Sequence, residues 1–189
     1  MKLKTQFIAV VFSMFSFVNI CAQERLKIDT TKSDIKWSGE YTFYFGGHNG
    51  RISFSEGYFE KTNQLITGGQ FIIDMNSIIC DDIGVKDANE SLVNHLKDPD
   101  FFDVSQFPEA VLKITSVEYH DSTHMKIYAN LTLKGITKPI SFQAEVNFEK
   151  KEMTTKFKID RMLWGVSYNS KLRDGAISDA IGFEVKISL

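Results

Sequence analysis

The side chains able to do chemistry are few and scattered. His48, His95, His120 and His124 stand at no metal-ligand spacing, for the chain has no His-x-His, Cys-x-x-Cys or His-Glu-x-x-His. His120 and His124 flank a short polar stretch that reads as a hairpin turn, where water is their natural partner. His95 falls on the polar side of a short helix, and His48, beside Gly46, Gly47 and Gly50, is the histidine placed to meet a ligand headgroup. Asp81 with Asp82, and Asp98, Asp100 and Asp103, lack the glycine and closing glutamate of a calcium loop and read as loop acids and helix caps. Cys80 has no activating neighbour in sequence and reads as a buried thiol. No Gly-x-Ser-x-Gly and no phosphate-cradling glycine motif occurs. The expectation is no metal, no cofactor and no catalytic residue.

Whatever function exists must therefore be carried by the elements themselves. At the amino terminus, Lys2 and Lys4 precede an apolar run from Phe7 to Ile20, which ends at Cys21-Ala22 before polar sequence begins. That is the pattern of a secretory signal, cleaved after Ala22, and the run falls short of the roughly twenty residues of a membrane-spanning helix. Residues 23–189 then form one domain, periplasmic or secreted and not integral to the membrane. Losing the signal removes two of the 22 basic residues and none of the 24 acidic ones, so the mature chain is more acidic than the whole, whose net charge is −2. No basic stripe with interleaved aromatics is present, which argues against nucleic acid as a partner. With Cys80 alone remaining, no internal disulfide can form.

The mature sequence alternates. Ile35, Trp37, Gly39, Tyr41, Phe43 and Phe45 share one face of a segment whose other face is Lys36, Ser38, Glu40, Thr42 and Tyr44. Gly46 to Gly50 then turns the chain into a second segment with Ile52 and Phe54 on one face. Further segments put Phe71, Ile73 and Met75 on one face, then Ala110, Leu112 and Ile114, then Met125 through Leu133, then Ile140 through Phe148 with Phe142 among them, then Met153 through Ile159, and last Ile181 through Leu189. Eight such segments joined mostly by short turns point to an all-β, eight-stranded antiparallel up-and-down barrel, since closure removes exposed edges, with an open two-sheet sandwich as the structural alternative. One short helix is expected over Asn89–Lys97, with Leu92, Val93 and Leu96 at helical spacing, Asp87 or Asn89 as cap and Pro99 as stop. The stretch from Asp160 to Ala180, containing Trp164 and Tyr168, is long enough to cover one mouth. A barrel of this size either fills with side chains or holds one small ligand; periodicity leaves both open.

Several stretches together resemble the YceI-like family of exported bacterial proteins: Trp37-Ser-Gly39, His48-Asn-Gly50, Phe54-Ser-Glu-Gly57, Gly69 to Met75 with Ser77-Ile78, and His95-Leu-Lys-Asp-Pro-Asp-Phe-Phe-Asp-Val104. Phe107-Pro-Glu-Ala110, Asn130 to Ile140, and Ile159-Asp-Arg161 followed by Trp164-Gly165 continue the match in order. The resemblance implies a lipocalin-like barrel around an elongated apolar tunnel that binds polyisoprenoid or related long-chain lipids. The residues then expected at the ligand are Trp37, Tyr41, Phe43, Phe45, Phe54, Phe71, Ile73, Met75, Leu112, Ile114, Leu131, Phe142 and Trp164, with His48 and Arg161 as the polar members. The alternatives are a solid-cored structural or partner-binding barrel, and a hydrolase of isoprenoid diphosphates that would use His48 with Asp74 or Arg161 with Asp160.

Overall fold

Each alternating segment becomes one stave of a closed barrel. The structure, a computed structural model, describes residues 24–43, 45–63, 65–168 and 175–189; the expected signal segment and its cleavage point lie outside the described residues. The strands are β1 (Glu24–Lys27), β2 (Asp34–Tyr41), β3 (Gly47–Thr62), β4 (Leu65–Cys80), β5 (Glu109–Tyr119), β6 (His124–Leu133), β7 (Ile136–Asn147), β8 (Glu152–Asp160) and β9 (Ile177–Ser188), with helix α1 (Lys86–Lys97) between β4 and β5. From β2 to β9 each strand pairs antiparallel with the next, and β9 returns to β2 through pairs such as Trp37↔Phe183, which closes an eight-stranded up-and-down barrel. The short β1, which alternation did not reveal, pairs with β3 beyond the end of β2, so the two share one edge.

Side-chain direction follows from the pleat. In β6, Met125, Ile127 and Ala129 are almost wholly buried, while Lys126, Tyr128 and Asn130 between them face outward and are partly exposed. Exposed Lys113, Glu145, Lys156 and Lys158 sit on the same outer face of their strands. The apolar face therefore lines the axis, and the outer face is not the apolar band that a membrane-spanning barrel turns toward lipid. Among the described residues, no helix is long and apolar enough to cross a membrane.

Turn chemistry fixes the register at one hinge. Lys134 and Gly135 have φ of 49° and 72°, and the flanking Leu133 and Ile136 are paired, which makes a two-residue hairpin of the kind that requires positive φ at both positions. Elsewhere bulges reset the phase. The β3–β4 ladder slips between Arg51 and Ser53 and again between Phe54 and Glu56, so the inward set of β3 passes from Ile52 and Phe54 to Phe59. These two strands reach 16 residues each, longer than the alternation indicates, because a simple period-two reading stops where a bulge breaks it.

The glycine run does not turn the chain where expected. Gly47, His48, Asn49 and Gly50 belong to β3 and pair with β2, and the turn falls earlier, after Tyr41. Gly50 is needed in the strand because a side chain there would strike the carbonyl oxygen of Ile79 on β4. Phe43 and Phe45 consequently leave the barrel: they are 75% and 109% exposed, not interior. Phe43→Ala is expected to change the unfolding free energy by no more than about 0.5 kcal/mol and to leave uptake of an apolar ligand unaltered, as a urea titration and a binding titration would register.

Helix α1 begins earlier than its apolar spacing suggests. Its N-cap is Val85, with no side-chain cap, and Asn89 instead donates its amide to the carbonyls of Cys80 and Ile83. Asp87 sits in the first turn, favourable to the helix dipole. At the other end Asp98 is extended, as a residue before proline must be, and Pro99 stops the helix.

Candidate functional site

The barrel is hollow. A cavity of about 410 Å³ lies along its axis, within the size range of small-molecule sites. Its lining takes residues from Ile177 to Ile187 along β9, a run of roughly 33 Å at strand rise. Phenylalanine rings make much of the wall: Phe142 stacks on Phe157 at 4.6 Å, Phe157 meets Phe183 at 5.5 Å, and Phe54 meets Phe71 at 6.0 Å.

Twelve of the fifteen residues proposed from sequence line this cavity: Trp37, Tyr41, His48, Phe54, Phe71, Ile73, Met75, Leu112, Ile114, Leu131, Phe142 and Arg161. Three do not. Phe43 and Phe45 lie outside, and Trp164, only 1% exposed, is packed in the core away from the lining, its indole N–H donating to the Leu131 carbonyl at 3.1 Å. Leu92 and Leu96 of α1, Phe101 and Phe102 just after it, and Tyr168 also line the cavity, at the end where β4 finishes and β9 begins. The helical spacing of Leu92 and Leu96 marked an apolar face without saying what it covers. His95 departs from its expected polar position, for its ring stacks on Tyr168 at 4.4 Å and meets Phe101 at 5.5 Å.

At that same end the barrel turns polar. The Tyr41 hydroxyl lies 2.7 Å from His48 Nε2, and His48 Nδ1 lies 3.0 Å from Asp82 Oδ2. Burial alone would raise the Asp82 carboxyl, but hydrogen bonds from the Cys80 thiol, the Asn49 N–H and His48 outweigh it and hold the group below the usual carboxylate range. An ionised Asp82 can only accept, so His48 donates from Nδ1, and in the neutral imidazole Nε2 then accepts from the Tyr41 hydroxyl. His48 is thus partnered by Asp82 and not by Asp74, whose carboxylate accepts from Asn76.

Arg161, expected beside Asp160, is wedged into the wall. Nη1 donates to the Val166 carbonyl at 2.7 Å, Nε to the Ser178 carbonyl at 3.1 Å, and Nη2 meets Asp179 at 3.3 Å. Asp160 instead caps the 3-10 turn Arg161–Trp164 by accepting from the Met162 N–H.

Two groups among the described residues bring three ligand-type atoms within 4.8 Å of one another: His48 with Cys80 and Asp82, and His95 with Asp98 and Asp100. In the first, both protons point at one carboxylate, so the hydrogen bonds account for the grouping. Burial, and then the bond to Asp82, push the Cys80 thiol up. Cys80 is 7% exposed, so alkylation by a thiol reagent at neutral pH is expected to proceed only as the protein unfolds, its rate rising with urea. Fast labelling in the absence of denaturant would contradict this placement.

A YceI-like domain model matches residues 26–189. A UPF0312 protein of Staphylococcus aureus (strain N315) is 31% identical over 111 residues, covering 54% of this chain and 61% of the relative. One from Pseudomonas putida (strain W619) is 38% identical over 58 residues, 31% of this chain and 30% of the relative. Each matched stretch thus falls short of two thirds of the relative's length. Among solved structures, BcnA of Burkholderia cenocepacia superposes with a TM-score of 0.70 at 16% identity, covering 85% of this chain and 98% of that one. A polyisoprenoid binding domain from Saccharophagus degradans, implicated in plant cell wall breakdown, superposes with a TM-score of 0.60 at 14% identity over 88% and 97% of the two chains. At such identities these two structures share the fold, and the family rests on the match that runs nearly the whole described length: the chain belongs to the YceI-like family.

Proposed function

We propose that this protein is a binding module, not an enzyme, which takes one long-chain apolar lipid into the barrel as a carrier, buffer or stress scavenger. The observation that carries the reading is the axial cavity, about 410 Å³ and walled by phenylalanine and aliphatic side chains. A solid-cored structural barrel would fill that space. A polyisoprenoid, a quinone or an acyl chain suits the length and chemistry of the wall, and the polyisoprenoid binding domain among the structural neighbours supports the first of these. Each methylene transferred from water contributes roughly 0.8 kcal/mol, but a membrane offers the same, so the barrel suits exchange with membranes better than tight sensing. Export after cleavage behind Ala22 completes the proposal, and amino-terminal sequencing of the mature protein is expected to begin at Gln23.

The test is titration of the purified protein with an apolar fluorescent probe, displaced by a prenyl lipid at one molecule per chain. Absence of both uptake and displacement would defeat the reading. A hydrolytic reading would be favoured by phosphate release from isoprenoid diphosphates that is lost in His48→Ala.

A further inference from the structure

The cavity has a polarity along its length, and its polar end has a chemical sense. Resting on the lipid-binding reading, we infer that Tyr41, His48 and Asp82 form a headgroup acceptor that selects long-chain amphiphiles carrying an uncharged hydroxyl over ethers and phosphates with the same tail. The direction of the hydrogen bonds decides this. With a neutral imidazole, Asp82 accepts from His48 Nδ1, His48 Nε2 accepts from Tyr41, and the proton of the Tyr41 hydroxyl is thereby committed to Nε2 at 2.7 Å. What Tyr41 has left to offer a ligand in the cavity is its oxygen lone pairs. Both Tyr41 and His48 line the cavity, whereas Asp82 stands behind them and outside the lining.

Charge points the same way. The chain of three groups carries the negative charge of Asp82, which repels an anionic head. Among the described lining residues, Arg161 would be the natural counterion for a phosphate, but its guanidinium is held by the carbonyls of Val166 and Ser178 and by Asp179. Glu40, the other charged residue of the lining, is paired with Lys158 at 3.4 Å, so this pair adds no net charge for a phosphate to meet. A hydroxyl head can donate to the Tyr41 oxygen; an ether cannot donate, and a phosphate brings charge of the wrong sign.

The experiment measures dissociation constants of geranylgeraniol, its methyl ether and its monophosphate for the whole mature protein and for Tyr41→Phe/His48→Leu, at about pH 8, where an ordinary imidazole is neutral. The alcohol is expected to bind about three- to tenfold more tightly than the ether, the net worth of one neutral hydrogen bond, and more tightly than the monophosphate. In Tyr41→Phe/His48→Leu, which removes the hydroxyl oxygen and the imidazole nitrogen it covers, the alcohol-to-ether ratio is expected to collapse toward one. Equal affinities for alcohol and ether in the unaltered protein would overturn the inference while leaving lipid binding standing. So would a monophosphate that binds best, or a ratio that survives in Tyr41→Phe/His48→Leu, since the head would then be read elsewhere. Failure of all three ligands to bind would instead remove the lipid-binding reading on which the inference rests.

Discussion

Ala110→Phe is expected to close the barrel to lipid while leaving it folded. Ala110 is 4% exposed, pairs across the sheet with Ile73, and lines the cavity with a side chain that ends at its Cβ. A phenyl ring there extends into the space the ligand would use and displaces roughly four tail methylenes, each contributing about 0.8 kcal/mol. Lipid affinity should fall by about a hundredfold or more. In a close-packed core the same change would cost about 1–3 kcal/mol through strain, but here the ring enters empty volume and the ligand-free protein should lose less than about 1 kcal/mol, or gain. Paired binding and urea titrations separate the cases. Unchanged affinity with a strain-sized loss of stability would mean that Ala110 faces packing.

Arg161→Ala should produce the largest stability loss of any single polar change. The guanidinium is 1% exposed and fastens the turn after β8 to the start of β9 and to Val166. Truncation leaves the carbonyls of Val166 and Ser178 without this donor and opens a void where the side chain lay, costs that together reach about 3–5 kcal/mol. Asp179 contributes little to this sum, since its side chain is 66% exposed and water can replace the arginine. Arg161→Lys keeps the charge but brings one compact group to three separated acceptors, so it should recover less than half of the loss. The urea midpoint is expected to drop with the slope unchanged. A loss under about 1 kcal/mol would show that the carbonyls find other donors.

The barrel was legible from alternation because each strand has one buried face, so inward residues recur every second position; Met125, Ile127, Ala129, Leu131 and Leu133 are the clearest instance. Where the pleat is interrupted, legibility fails. Phe43 and Phe45 keep the period of β2 past its last residue, and nothing local marks Tyr41 as the end; the end is set by pairing of Gly47 to Gly50 with β2 and by the approach of Ile79 to Gly50. The β3–β4 bulges are equally silent in a one-strand reading, since two residues face one only once the partner is known. At the site, the apolar lining was readable because it inherits the strand period, as in Phe71, Ile73 and Met75. The polar chain was not. Tyr41, His48 and Asp82 come from the end of β2, the start of β3 and the loop after β4, and only closure of the barrel brings them within hydrogen-bond reach. Arg161 was picked out by its sequence context, yet its partners, Val166, Ser178 and Asp179, belong to a chain path that periodicity does not describe.

The central claim is that the cavity holds one long apolar lipid, and the most direct measurement is mass spectrometry of an organic extract of the protein purified from its native host without detergent. The extract is expected to contain one long-chain apolar molecule in near one-to-one amount with the protein, and Ala110→Phe prepared identically should carry much less. An extract empty of such a molecule, from protein that also takes up no added prenyl lipid or quinone, would contradict the account.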